Sequence, residues 1–447
     1  MTKEEIRNLI NERNVKIIRL QFTDLDGTLK QVSVPVSELD RVLNNDIMFD
    51  GSSIEGFARI EESDMYLKPD IDTFTLIPWE DFESARIICD VMNANGTDFE
   101  ESPRHILKKV IEKARKMDFE TYAGPEPEFF LFDTNNCDTD STSHDQHPEN
   151  PILLDSGSYF DMLPLSRSEL ARREMVQALE DMGFEVEAAH HEVSPSQHEI
   201  DFKYADVLTT ADRVQTFKLV VKTIAIKHNL HATFMPKPVE GINGSGMHVH
   251  MSLFKDGNNA FYDPKGKHEL SKVFLHFIAG IVDHARAITA ITNPTVNSYK
   301  RLVPGYEAPV NIAWAVGNRS ALIRVPQARG NATRLEYRSP DPSCNAYLAF
   351  ALILAAGLDG IERELVPPEP INQNIFKMTN SQKKDNKIKA LPGTLKEALD
   401  EAKQDKMVLK TMGENAFNTF LKMKMTEWRE FSSAVTDWEK KKYFNVL

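Results

Sequence analysis

The sequence predicts an α+β chain with a small N-terminal unit and a larger unit after it. Three observations carry this. A helix-start signature and a hairpin signal sit together within the first 40 residues. The texture changes at Glu101-Ser102-Pro103, after which helical patterns alternate with strand-like runs. Four of those runs place ionisable side chains at every second position, with apolar residues between them. A sheet with one wet working face reads this way.

Element by element, Thr2-Lys3-Glu4-Glu5 matches a capping box, and Ile6, Leu9 and Ile10 follow at helical spacing. The run 15–23 reads as a strand, Asp26-Gly27 as a hairpin turn, and 29–36 as the returning strand. Together these make an α+β unit of about 100 residues. Beyond Pro103, periodicity predicts helices over 104–117, 166–182, 209–228, 272–291 and 345–362. Residues 135–151 read as a polar loop whose His144 and His147 are solvated. The tail beyond Leu395 reads as helical and charged.

The 447 residues suggest two to three domains. No apolar run reaches the roughly 18 residues of a membrane span, and the polar N-terminus lacks a signal-peptide pattern. Cys89, Cys137 and Cys344 are widely spaced, which predicts neither a disulfide framework nor a zinc knuckle and fits a cytoplasmic protein. A net charge of −14 argues against general nucleic-acid binding. Residues 300–338 nevertheless carry seven basic side chains (Lys300, Arg301, Arg319, Arg324, Arg329, Arg334, Arg338) against Glu307 and Glu336. Six are arginine, the residue suited to carboxylate and phosphate, so this segment predicts an anionic ligand.

The chemistry begins at Gly124-Pro125-Glu126-Pro127-Glu128. On a strand, Glu126 and Glu128 share a face, where two carboxylates repel unless a divalent cation joins them. Further candidates follow the same spacing: Glu192 after His191, Glu199 and Asp201, then His248, His250 and Ser252 behind Asn243-Gly244-Ser245-Gly246, then Arg334, Glu336 and Arg338. Such a set predicts metal ions and an anionic substrate. No Gly-x-x-x-x-Gly-Lys-Ser/Thr occurs, and Gly241-Ile242-Asn243-Gly244-Ser245-Gly246 does not match the dinucleotide fingerprint.

At these residues the chain resembles the bacterial glutamine synthetases of Gram-positive type. The resemblance runs from about residue 15 to the C-terminus. It includes Met48-Phe49-Asp50-Gly51-Ser52-Ser53, Asn243-Gly244-Ser245-Gly246-Met247-His248, Lys300 to Pro309, and Asn318-Arg319-Ser320. It implies a β-grasp domain at 1–103 and a catalytic domain at 104–447, with a curved antiparallel sheet flanked by helices and a helical regulatory tail. The implied reaction joins ammonia to glutamate through γ-glutamyl phosphate, consuming ATP.

The resemblance also implies residue roles. Glu128, Glu192 and Glu199 would hold one Mg2+ or Mn2+ ion, and Glu126, His248 and Glu336 another. Glu187, Ser252, Arg324 and Arg334 match ATP positions, and Arg319 the phosphoryl contact. Asn243, Gly244, Arg301 and Arg338 match the glutamate site. Asp50 matches the base that deprotonates ammonium, beside Tyr159, Ser53, Glu192 and Glu307, with 304–309 as a lid. Asp50 would serve a neighbouring subunit in a double-ringed dodecamer. Arg59 and Glu427 match feedback positions, and the C-terminal region a repressor-binding surface. Phe376 stands where some relatives carry a modifiable tyrosine. An amine ligase of the same fold and an inactive regulatory homologue are the alternatives.

Overall fold

Helix Lys3–Glu12 starts where the capping box predicts it. The Thr2 hydroxyl accepts from the Glu5 amide at 3.2 Å, and the Glu5 carboxylate accepts from the Thr2 amide at 2.6 Å. Its apolar stripe buries Ile6 and Ile10. In the computed structural model, which describes residues 1–54, 64–80, 83–134 and 152–447, this helix packs on a sheet. The strand order is Leu29–Pro35, Ile17–Thr23, Ser84–Asn93, Asp64–Pro69 and Ile47–Asp50, with Thr75–Leu76 also on Ser84–Asn93. The first two strands form the predicted hairpin, and Ile17–Thr23 runs parallel to Ser84–Asn93. Arg59 and residues 135–151, with His144 and His147, lie outside the described residues.

Two joints lock this unit to the rest. Asn345 caps helix Ala346–Glu362 through its side-chain oxygen. Its amide nitrogen donates to the Asp24 and Leu25 carbonyls at 3.1 and 3.3 Å. Arg104, buried at the start of helix Pro103–Lys116, pairs with Asp70, Asp90 and Asp212 at 2.6, 2.8 and 2.9 Å. One guanidinium thereby holds acids from both units.

The larger unit is built on an 11-stranded sheet. Its main path runs Trp314–Val316, Ile323–Val325, Leu335–Tyr337, Met247–Lys255, Glu120–Asp133, Gln197–Phe202 and Val186–His191. The pairing is antiparallel except between Trp314–Val316 and Ile323–Val325, where it is parallel. Helices Val207–Lys227, Lys272–Thr292 and Ala346–Glu362 supply much of the core behind the sheet. Lys272–Thr292 is long and apolar enough, by length and composition, to cross a membrane, a window the run-length reading passed over. Here it is a core helix. A Cβ on its Gly280 would meet the Ala356 carbonyl at 2.0 Å, so only glycine permits this close crossing. The tail forms helices Leu395–Gln404, Lys406–Met412, Glu414–Ser433 and Asp437–Tyr443.

Candidate active site

Strand Glu120–Asp133 is the spine of the site. The Glu128 amide donates to the Gly246 carbonyl at 3.0 Å, and the Leu131 amide to Ser196 on the opposite edge at 2.9 Å. Amides alternate between edges, so those of Pro125 and Pro127 would face the second edge. That edge pairs with Gln197–Phe202 only through residues 128–130, and with Ala205–Asp206 only at 122–123. The prolines therefore occupy the one stretch with no partner to receive an N–H, which explains two prolines inside a central strand. The gap opens into a cavity of about 520 Å³ lined by Gly124, Pro125, Glu126, Glu187, Asp201, Ser252 and Arg334, among others.

Register brings the first cluster together. Glu126 lies opposite His248, and His250 opposite Glu336. His248 Nδ1 lies 3.2 Å from Glu126 Oε2 and 3.7 Å from Glu336 Oε1. Arg334 Nε donates to His250 Nδ1 at 3.2 Å, so His250 carries its proton on Nε2 and donates to Glu126 Oε1 at 2.7 Å. Burial opposes charge on Glu126, but the two histidine hydrogen bonds outweigh it and hold the carboxyl well below its ordinary range. Burial, helped by Arg338, pushes His248 below its ordinary value, which favours the neutral ring a metal ligand requires. Glu336 is fully buried and pairs with Arg324 and Arg338.

The second cluster is more acidic. Ligand atoms of His190, Glu192 and Glu199 lie within 4.8 Å of one another. Glu128 sits opposite Glu199 in register and accepts from Gln197 Nε2 at 2.8 Å and the Gly246 amide at 2.9 Å. Burial and the Glu192 charge raise Glu128, and burial and the Glu128 charge raise Glu199 well above its ordinary value. Burial and Glu126 raise Asp201. Gln197 Oε1 and Asp201 Oδ1 are buried acceptors with no hydrogen-bond partner. The region is rich in acceptors and short of positive charge.

Beyond it lies a small pocket lined by Glu128, Glu192, Asn243, Gly244, His248, Arg301, Glu307 and Arg338, among others. Arg301 is buried and donates to the Ser339 carbonyl at 2.7 Å. Lys237 Nζ stands 3.8 Å above the Tyr306 ring, a cation–π contact that ties the 304–309 loop to this rim. Tyr159 is exposed beside Glu192 and Arg319. Burial and the Glu192 charge raise its hydroxyl.

Some expected site residues stand apart. Asp50 and Ser53 lie on the N-terminal unit and line neither cavity. Asp50 is exposed, and the Ser52 hydroxyl and amide hold its carboxyl below its ordinary range. Glu427 is half-buried, accepting from the Val296 amide at 2.9 Å and from Lys424 at 3.2 Å. Arg329 donates to the His268, Pro326 and Ala328 carbonyls. Phe376 is exposed in the middle of the short 3-10 turn Ile375–Lys377. His190 and the His250 bond to Glu126 were missed as site features. Both follow an alternation visible at 188–192 and 248–252.

A family profile described as glutamine synthetase, beta-grasp domain, matches residues 14–94, and one described as glutamine synthetase, catalytic domain, matches residues 100–443. The chain belongs to the glutamine synthetase family. It is 56% identical over 445 residues to the glutamine synthetase of Thermotoga maritima, covering 99% of each chain. It is 53% identical over 446 residues to those of Staphylococcus epidermidis and Clostridium saccharobutylicum, covering 99% of this chain in each case and 98% and 99% of theirs. Among solved structures, a GmaS–ADP complex superposes with a TM-score of 0.87 at 31% identity, over 98% of this chain and 99% of that one. The Plasmodium falciparum glutamine synthetase gives 0.86 at 30%, over 99% of each.

Proposed function

We propose that the chain ligates ammonia to L-glutamate, converting ATP to ADP and phosphate, through γ-glutamyl phosphate. One observation carries the reading. The 520 Å³ cavity reaches Glu126, the small pocket reaches His248, and these two residues are register partners. A nucleotide-sized void and a small polar pocket lined by Arg301 and Arg338 thus meet at one pair of strands.

Magnesium or manganese suits both clusters. The unpartnered acceptors and raised carboxylates of the acidic cluster fit a hard divalent cation. Glu128, Glu192 and Glu199 would hold one ion, and Glu126, His248 and Glu336 the other. Bound there, the ions neutralise charge on the transferring phosphoryl oxygens.

The chain's own residues do the rest. Glu187, Ser252, Arg324 and Arg334 bind ATP, and Arg319 meets the phosphoryl group. Asn243, Gly244, Arg301 and Arg338 hold glutamate. Ammonium sits near Tyr159, Ser53, Glu192 and Glu307 and gives a proton to Asp50 before its nitrogen attacks the acyl phosphate. The 304–309 loop excludes water, which would otherwise hydrolyse that intermediate. Asp50 comes from an adjacent subunit of a homo-oligomer, read as a dodecamer of two stacked hexameric rings. Its exposure and its absence from the lining of both cavities support this. The protein is cytoplasmic and acts on neither membrane nor nucleic acid. Arg59 and Glu427 serve glutamine feedback, and the C-terminal region serves a nitrogen-responsive repressor.

The test is a steady-state assay with ATP, glutamate, magnesium and either ammonium or putrescine. Glutamine and phosphate should form in equal amounts with ammonium. Turnover with putrescine alone would make the chain an amine ligase, and no ATP turnover would make it an inactive homologue.

A further inference from the structure

We propose that Asp155 and His191 form a buried clamp that fixes the Tyr159 loop beside Glu192, and so act as positioning residues for the ammonium side of the reaction. The role of Tyr159 rests on the functional reading above; the clamp itself rests on geometry.

Neither residue lines either cavity of the site. The Asp155 side chain is 1% exposed and that of His191 is 0% exposed. A carboxylate so deeply buried needs donors on both oxygens. Asp155 has them from four places. Its Oδ1 accepts from His191 Nε2 at 3.1 Å, from the Ser196 amide at 2.9 Å and from the Gly157 amide at 3.2 Å. Its Oδ2 accepts from the Arg167 amide at 3.2 Å. Gly157 and Arg167 are the two ends of the loop that carries Tyr159. Ser196 lies in the turn between the strand ending at His191 and the strand bearing Glu199.

His191 completes the link. Its Nδ1 donates to the Glu192 carbonyl at 2.6 Å, and its own carbonyl accepts from the Phe160 amide at 3.0 Å. The start, middle and end of the loop therefore hang on one imidazolium, with both ring nitrogens donating, and one carboxylate, which also hold the backbone of Glu192. Tyr159 needs such support. It is 43% exposed; its ring meets the neighbouring Phe160 and the edge of His190, at centroid distances of 3.9 and 5.5 Å, and its hydroxyl meets Arg319. With so exposed a ring, the backbone carries much of the work of holding it beside Glu192.

Gly157 offers a way to open the clamp without changing a charge. A Cβ there would lie 2.7 Å from His191 Nε2. That ring is enclosed, so Gly157→Ala must push the imidazole off Asp155 or lift the loop.

Two measurements test the proposal on the full-length protein, with Asp155→Ala and Gly157→Ala beside the wild type. In steady state, KM for ammonium should rise about tenfold or more, the size typical of lost supporting hydrogen bonds. KM for ATP should not move, and kcat at saturating ammonium should stay within about threefold. Asp155→Asn, which retains an acceptor for His191, should recover part of the loss. Parallel rises in every KM, or no rise for ammonium, would overturn the positioning role. Amide hydrogen exchange reads the clamp without activity. Segment 156–166 should exchange about tenfold faster in both variants, while strands Val186–His191 and Gln197–Phe202 keep their protection. Unchanged exchange in 156–166 would sink the clamp even if KM had moved. If the wild type formed no glutamine, the functional reading would fall and exchange alone would decide the clamp.

Discussion

The two clusters flanking strand Glu120–Asp133 solve the problem of buried carboxylates differently. Around Glu126 and Glu336 the negative charge is answered by the protein, through His248, His250, Arg324 and Arg338. Around Glu128, Glu192 and Glu199 the one neighbouring ring, His190, does not balance it, and burial with their mutual charge raises Glu128 and Glu199. One cluster is organised by the fold. The other is held in a self-repelling arrangement that an added metal ion or proton relieves. A preformed charge network and a charge deficit, set side by side, give two ion sites of unequal character.

The largest expected effect tests the organised cluster. Glu336→Ala leaves Arg324 and Arg338 without their buried partner and removes a candidate ligand. Turnover should fall about a hundredfold or more, since metal stabilisation of a phosphoryl group is worth several kcal/mol. Unchanged kcat would remove Glu336 from the site.

The next concerns the acidic cluster and has a defined sign. Glu128 and Glu199 bind a proton more readily folded than unfolded. Stability linked to them is full below the ordinary carboxylate range and is lost as pH rises through their folded values. Metal-free protein should therefore lose a few degrees of Tm between about pH 5 and pH 8. Magnesium should restore it, and Glu199→Gln should flatten both responses. Calorimetry across that range decides, and a pH-independent Tm in the wild type would erase the contrast between the clusters.

A smaller effect belongs to the rim. Tyr306→Ala removes the Lys237 contact, worth about 1 kcal/mol at a partly exposed site. It should raise ATP hydrolysis uncoupled from glutamine by severalfold, measured as phosphate released in excess of glutamine. The smallest is Arg329→Ala. Loss of its bonds to three carbonyls should cost about 1 kcal/mol in denaturant unfolding and leave the kinetics unchanged.

Local pattern carried much of the architecture. The helices predicted at 104–117, 209–228, 272–291 and 345–362 start and stop within two residues of those observed, because their apolar stripes and caps are local signals. Alternation at 248–252 and 334–338 likewise announced the polar face, since strand pleat depends on adjacent residues alone. What escaped was whatever depends on distant chain segments. The parallel pairing of Trp314–Val316 with Ile323–Val325 has no composition cue. Asp155 is 36 residues from His191, and its own sequence neighbourhood is an ordinary polar turn. His190 drew no notice in the sequence, and only the register with Glu199 brings its ring into the cluster. Asp50 carries the opposite lesson: a residue singled out by resemblance lines, in one chain, neither pocket.

Pro125 and Pro127 have one further consequence. Many phosphate-binding loops grip their ligand with a row of peptide N–H groups. Along the cavity edge of residues 124–127, this strand offers oxygen and no hydrogen. A polyphosphate resting there would face a wall of lone pairs. Its grip must come from ions and guanidinium groups, which can be gained, shifted or released within a catalytic cycle, whereas a backbone cradle is permanent. For a nucleotide bound there, affinity would be tied to cation supply by two missing hydrogen atoms.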